Sequence, residues 1–392
     1  MSSNEVYIVA AKRTPIGSLL GQFRDIPAPT LGATAIKAAI NESGVDVKKI
    51  DEVIMGCVLT AGVGQAPARQ AMMQADIPLS TGATTVNKVC GSGMKALILA
   101  HDTIVAGSAE IVTAGGMESM SNAPHLLKAR SGIRLGNATT YDHLTRDGID
   151  NADGRSLGLF SEDCATKYGF TRAQQDEYAI ESVRRSRHAQ ETGTYSGEIT
   201  AVSVEQHHQT ISIDTDELPQ RADITKIPQL PPSFKPDGTI TAASASGFSD
   251  GAAALMLMSK ETLENTGAKP IARIIGHSTF SQEPEWFTTA PTGAIQKLLD
   301  KTGWTISSVD LFEINEALAV VPLSSMHDLD IPMDKLNVNG GACSLGHPIG
   351  ASGARIVVTL INALRTRGLK RGIASLCIGG GEATAIAIEY LG

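Results

Sequence analysis

The sequence predicts an α/β protein in which two similar halves are separated by a polar insertion, and three observations carry this. Short β-prone runs alternate with stretches of helical periodicity in the first and last thirds of the chain, the pattern of a sheet covered by helices. Three stretches of the first part recur in the same order in the last: residues 47–55 resemble 306–314, Thr85-Val-Asn87 returns as Asn337-Val-Asn339, and residues 111–116 return as 375–380. Such a repeat points to paired structural units, and paired units commonly hold a ligand between them. Residues 122–246, by contrast, are polar and loop-rich, as expected of an insertion lying over a sheet where binding loops sit.

In chain order, residues 6–10 are expected to form a buried strand, 12–17 a loop, 30–43 a helix, 53–57 a strand and 66–75 a helix. The β-prone Thr84, Thr85 and Val86 lead to Cys90, and Gly91-Ser-Gly93 turns the chain into a helix over 94–106, with Leu97, Ala100, Ile104 and Val105 on one face. Residues 111–114 form a strand ending at Gly115-Gly116. Within the insertion, Thr171 and Gln174 make a capping box for a helix running to about Gln190, and Gly193 stops it. The Pro-rich stretch 219–236 is expected to be irregular. Regular texture resumes with a strand over 309–314, a helix over 354–366 and a strand over 372–376. The expected units are 1–120 completed by 247–270, a loop domain 121–246, and 271–392.

A chain of 392 residues has ample material for such a core. Its net charge of −8 argues against nonspecific binding to nucleic acid or to an anionic membrane. The five cysteines are widely spaced with no C-x-x-C pair, which argues against a disulfide framework and a structural zinc site and fits a reducing compartment. No residue is assigned to a metal. No apolar run approaches the ~18 residues of a membrane span, the first strand leaves no room for a leader, and the final Glu-Tyr-Leu-Gly is not a peroxisomal address. These features point to a soluble cytoplasmic protein.

Chemistry concentrates where strands hand over to helices. Cys90 precedes a helix N-terminus, where unpaired backbone N–H groups and the positive dipole end favour an anion, so its thiol pKa is expected below the free value. The alternative is a small buried hydrophobe. Asn315-Glu-Ala317, Gly340–Gly353 with His347, and Cys377-Ile-Gly-Gly-Gly381 all follow strands of the second half, the end at which open α/β sheets hold ligands. If the halves face each other, Cys90, Asn315, His347 and Cys377 can converge. Taken singly, His347 also reads as a capping histidine and Cys377 as a core cysteine. Gly91-x-Gly93-x-x-Ala96 formally fits a dinucleotide fingerprint, but Glu110 would open a strand where the ribose-binding acid should close one. Gly346–Gly353 lacks the Gly-Lys-Ser/Thr ending of a phosphate loop.

Together, Val89-Cys-Gly-Ser-Gly93, Asn315-Glu-Ala317, Gly346-His-Pro-Ile-Gly-Ala-Ser-Gly353 and Cys377-Ile-Gly-Gly-Gly381 resemble the thiolase family, in order and spacing, over residues 6–391. The resemblance implies a five-layered αβαβα fold of two βαβαβαββ halves with an inserted loop domain that binds coenzyme A. It implies that Cys90 is acylated, that His347 takes its proton, and that Cys377 exchanges a proton with the α-carbon of the incoming acetyl group. It further implies two oxyanion holes, one from His347 and a water held by Asn315, the other from the N–H groups of Cys90 and Gly379. Coenzyme A is implied as substrate and product, with no separate cofactor. Ala245, Ser246 and Gly247 would lie along the pantetheine, and Arg221 and Phe234 along the nucleotide end or its path.

Several positions depart from the family pattern. Ser156-Leu157-Gly158 stands for His-Met-Gly, Phe287 for a Met, Leu318 for the Phe of Asn-Glu-Ala-Phe, and Glu382-Ala383 for the end of the glycine run. These changes rearrange the acyl pocket and tunnel without touching the implied catalytic set. Residues 117–136 resemble the tetramerisation loop of short-chain acetoacetyl-CoA thiolases, implying a homotetramer and reversible condensation of two acetyl-CoA. Other readings are a degradative thiolase of broader chain length, and a non-catalytic acyl-CoA-binding relative. A decarboxylating ketoacyl synthase, whose second cysteine is replaced by histidine, is disfavoured by Cys377.

Overall fold

The computed structural model describes residues 5–206 and 209–392. In the first half, β1 (Val6–Arg13), α1 (Ala28–Ser43), β2 (Glu52–Gly56), α2 (Pro67–Gln74), β3 (Gly82–Val86), α3 (Ser92–Val105) and β4 (Ile111–Ser119) precede the insertion, and β5 (Ser249–Ser259) follows it. The insertion carries α4 (Leu157–Tyr168) and α5 (Arg172–Glu191). The second half contains β6 (Ala272–Ser281), α6 (Ala290–Thr302), β7 (Leu311–Ile314), α7 (Val320–Leu329), α8 (Ile349–Arg367), β8 (Arg371–Ile378) and β9 (Glu382–Tyr390).

The strands run β7-β8-β9-β6-β1-β5-β4-β2-β3. The two halves follow one rule: β1, β5 and β4 pair antiparallel with β2 and β3 added parallel, and β6, β9 and β8 pair antiparallel with β7 added parallel. They join through three residue pairs, Val6 with Ile274 to Ile8 with Ala272. Helices α1 and α2 cover the outer face of the first half, α6 and α7 that of the second, and α3 packs on α8 between the two. Three apolar clusters fill the spaces between these layers. The architecture is the expected five-layered αβαβα stack.

Several expected boundaries move, for reasons found in the packing. Strand β1 continues to Arg13 instead of opening a loop at Lys12, because the buried Arg13 guanidinium pairs with Asp216 and Glu198 of the insertion at 2.8 and 2.6 Å. Strand β4 does not end at Gly115-Gly116 but runs to Ser119; Gly116 lets the start of α8 lie against the strand, and a Cβ there would come 2.1 Å from the Gly350 oxygen. Helix α8 begins at Ile349, five residues before the expected start. The second copy of β3 is not a strand: Asn337 has φ +45° and only Leu336 bridges to Phe312. There the Asn337 side chain makes the strand-like contacts instead, exchanging hydrogen bonds with the N–H and C=O of Ile314 at 2.8 Å each. The Pro-rich stretch holds short turns of helix at Leu218–Arg221 and Ile227–Gln229. The capping box of α5 forms as its sequence predicts.

Candidate active site

The site is made where the first turns of α3 and α8 cross. At their crossing a Cβ on Gly93 would lie 2.8 Å from the Ala354 nitrogen, and one on Gly353 would lie 2.4 Å from the Met94 nitrogen. Only glycine allows so close an approach. Cys90 lies two residues before α3 and His347 two before α8, so the same contact brings both to one place. Strand β8 delivers Cys377 to that place, and the turn after it delivers Gly379, whose backbone N–H lies near enough to the Cys90 sulfur to favour its thiolate form.

The Cys90 turn is held before any substrate arrives. Val89, a β-branched residue, has φ +47°, a strained conformation of the kind that clusters at functional sites. Its N–H donates to Asn87 Oδ1 at 3.0 Å, and Ser92 Oγ accepts from Lys88 N at 2.8 Å and donates to the Val89 carbonyl at 2.6 Å. Lys88 also pairs with Glu382 at the start of β9. Asn87 and Ser92 thus fix the sulfur's position.

The electrostatics overturn one expectation. Burial pushes the Cys90 thiol up to about 11, although the N–H groups of Gly379 and of Cys90 itself draw it down. The helix-start position alone predicts a lowered value, but desolvation outweighs it. Cys90 therefore rests as a thiol and needs a base. His347 fits that need: burial, then the nearby Arg355 charge, push its imidazole down to about 3, so it is neutral at physiological pH. Its Nδ1 meets Ser352 Oγ at 2.6 Å, and its Nε2 is buried without a hydrogen-bond partner among the described residues. Cys377 is 1 % exposed and its thiol is raised well above the free value, by burial first and then by Cys90.

Asn315, at the end of β7, is oriented by Arg355. The guanidinium, which can only donate, gives Nη2 to Asn315 Oδ1 at 3.3 Å and Nη1 to Glu313 at 3.0 Å. The Asn315 Nδ2 end is left buried and, among the described residues, unpartnered. Sequence reasoning missed Arg355 as well as Ser352. A lone charge in the apolar run of α8 was the available signal. It also missed Glu118, which accepts backbone N–H bonds from Val58, Leu59 and Gly350 at 3.0, 3.2 and 2.9 Å. Glu118 thereby ties the first turn of α8 to the end of β2, and burial lifts its carboxyl to about 7.

The predicted binding residues fall into two groups. Leu157, Phe234, Ala245, Phe287 and Leu318 share one apolar cluster with Cys377; Leu157 lies over Gly379 and Phe234 against Gly158. Ala245 bridges to Leu318, Ser246 donates both N–H and Oγ to the Ala317 carbonyl at 3.0 Å, and the Gly247 carbonyl accepts the His347 N–H at 2.9 Å. Arg221 stands apart at the surface, its guanidinium paired with Glu217 at 2.6 Å and bonded to Ser18 at 3.2 Å. One turn earlier, however, Leu218 packs against Gly247 and Gly346 beside His347.

A paired-half fold with a buried thiol, a neutral imidazole and a second thiol at one point defines a class of acyl-transfer site. The chain matches the family descriptions "Thiolase, N-terminal domain" over residues 6–261 and "Thiolase, C-terminal domain" over residues 268–390. It is 48 % identical over 389 residues to an acetyl-CoA acetyltransferase of Chromobacterium violaceum, covering 98 % of this chain and 99 % of that one. It is 45 % identical over 393 residues to one from Schizosaccharomyces pombe, covering 99 % and 100 %. Among solved structures, the Acat5 thiolase of Ascaris suum in complex with coenzyme A superposes with a TM-score of 0.94 at 43 % identity, covering 99 % of this chain and 100 % of that one. The Bacillus anthracis acetyl-CoA acetyltransferase gives 0.96 at 38 %, covering 99 % of each. The chain belongs to the thiolase family.

Proposed function

We propose that this enzyme is an acetyl-CoA C-acetyltransferase that joins two acetyl-CoA into acetoacetyl-CoA and free coenzyme A, reversibly, through an acetyl-Cys90 intermediate. The observation that carries this is the crossing of α3 and α8 at Gly93 and Gly353, which sets Cys90 and His347 at adjoining helix starts, with Cys377 near enough to Cys90 for its thiol to be raised by it. Relatives named acetyl-CoA acetyltransferase, similar over nearly the full chain, support the substrate.

In the first half-reaction the Cys90 proton moves to His347 Nε2 as sulfur attacks the thioester carbonyl, and the departing coenzyme A thiolate takes a proton from Cys377. In the second, the Cys377 thiolate removes the α-proton of the next acetyl-CoA. The resulting carbanion attacks the acetyl carbon, and Cys90 leaves with the proton held on His347. Both thiols and the imidazole return to their starting states. Charge on the first thioester oxygen would be met by the Gly379 and Cys90 N–H groups. Charge on the second would be met by His347 Nε2 and a water on Asn315 Nδ2, donors that the fold buries without partners.

Residues 121–246 would cover the coenzyme A path as a loop domain between a first half of 1–120 with 247–270 and a second of 271–392. The pantetheine would run past Ala245, Ser246 and Gly247 toward Phe234, with Arg221 near the nucleotide end. Ile133 and Leu135, 50 % and 97 % exposed on the 126–136 loop, support assembly as a homotetramer, which light scattering of the native protein would read. Five free cysteines support residence in the reducing cytoplasm, and among the described residues no helix is long and apolar enough to cross a membrane; cell fractionation would check that placement.

The test is a kcat/KM series for 3-ketoacyl-CoA substrates cleaved with coenzyme A. Phe287 and Leu318 exchange a flexible and a bulky residue for a rigid and a smaller one, so the pocket changes shape more than volume. One methylene of misfit is worth roughly 10–200-fold. Acetoacetyl-CoA is expected to be the best substrate, with a six-carbon homologue at least about tenfold worse. Equal or better cleavage of longer chains would move the enzyme to the degradative class, and no turnover at all would leave a binding protein.

A further inference from the structure

Far from the acyl-transfer site, three metal-competent side chains meet across the two halves. His101 and Asp102 project from the C-terminal part of α3, and His277 from β6 of the other half. Asp102 Oδ1 lies 3.0 Å from His101 Nδ1 and 2.9 Å from His277 Nε2, and the three donor atoms all lie within 4.8 Å of one another. The imidazole rings stand edge to face with centroids 5.0 Å apart. Both histidine side chains are 16 % exposed and the Asp102 side chain is 52 % exposed, leaving one side open to solvent.

We propose that His101 Nδ1, Asp102 and His277 Nε2 form a binding site for one divalent transition ion of the zinc type, a structural clasp between α3 and β6. Zinc–ligand bonds of about 2.0–2.2 Å place neighbouring ligand atoms roughly 3.3 Å apart in a tetrahedron. The two separations from Asp102 therefore need to widen by a few tenths of an ångström, and the two ring nitrogens, within 4.8 Å of each other, to settle at the same spacing. Two imidazoles and a carboxylate make a borderline N/O donor set suited to zinc, cobalt or nickel, and the open side admits water as the fourth ligand.

Without metal, the two ring nitrogens donate their protons to the carboxylate. With metal, each ring holds its proton on the other nitrogen and turns a lone pair inward, so no net proton is lost. The neighbouring Lys301 cation opposes the binding of a second cation. Lys301 Nζ is committed to the His277 carbonyl at 3.2 Å, away from the ring. Sequence reading could not assign the site, because Asp102 and His277 are 175 residues apart.

Thiolate ligation at Cys90 and Cys377 is the competing sink for metal, and the test separates the two. Cobalt(II) and zinc(II) are each titrated into the full-length, tag-free, metal-stripped enzyme. Expected are one cobalt per chain with ligand-field absorption lacking thiolate charge transfer, and a Tm raised by about 3 °C at a hundredfold excess of zinc over its Kd. His277→Gln and His101→Gln, which can still donate to Asp102, should each weaken metal binding at least about tenfold. Both variants should keep wild-type acetyl transfer, since the cluster lies about 14 Å along α3 from its first residue; that activity shows they are folded. Absence of binding, a thiolate charge-transfer band on the bound cobalt, or an affinity unchanged in both variants would overturn the assignment.

Discussion

The resting proton of the Cys90–His347 pair can be located by changing the pH. With the thiol at about 11 and the imidazole at about 3, moving the proton from sulfur to nitrogen is uphill by about 11 kcal/mol at 1.36 kcal/mol per pH unit. Even at contact, attraction between the resulting charges returns only about 4 kcal/mol at an effective dielectric constant near 20. About 7 kcal/mol remains, so roughly one molecule in 10⁵ holds a thiolate–imidazolium pair at rest. The thiolate fraction is then set by ordinary ionisation and rises about tenfold per pH unit. Alkylation of Cys90 by iodoacetamide, followed by peptide mass spectrometry to distinguish it from the other cysteines, should accelerate about tenfold per unit between roughly pH 6 and 9. A level rate across that range would mean a preformed ion pair. It would refute the argument that desolvation outweighs the helix-start field.

Two further outcomes test the division of labour around the site. Cys377→Ala should still acetylate Cys90 from acetyl-CoA, because a coenzyme A thiolate can depart unassisted, but should fail to form the carbon–carbon bond; near wild-type condensation would remove Cys377 from its role. Glu118→Gln replaces one carboxylate oxygen by an amide that cannot accept, leaving a buried backbone N–H of Val58, Leu59 or Gly350 without its partner. Urea unfolding should show a loss of about 1–3 kcal/mol. Acetyl transfer should fall about tenfold or more as the first turn of α8 shifts beneath His347, and an unchanged variant would show that Glu118 does not position that turn.

Much of this site was legible before any coordinates. Cys90 and His347 sit in glycine-rich turns before helices, Asn315 follows a strand and Cys377 ends one ahead of a glycine run, and the physics of strand ends and helix starts marks such places as reactive. The internal repeat was legible too, because matching residues at matching intervals need no tertiary information. It misled at Asn337-Val-Asn339, where the sequence repeats but the strand does not, since Asn337 serves the ladder through its side chain.

By itself the sequence determined the layer class, the paired halves, the insertion, and the residue types able to carry thiol chemistry. These are properties of periodicity and composition along the chain. Only the tertiary structure decided which of those residues meet and in what protonation state. Cys90 and His347 converge because Gly93 and Gly353 let two helix starts cross without side chains. Their proton stays on sulfur because the same crossing removes both groups from water. The roles of Glu118 and the His101–Asp102–His277 cluster were invisible for the same reason, and the lone charge of Arg355 in α8 marked a residue without naming its partners. Each acts through partners dozens to hundreds of residues away, and burial, charge and donor geometry at such separations arise from three-dimensional packing and from no pattern along the chain.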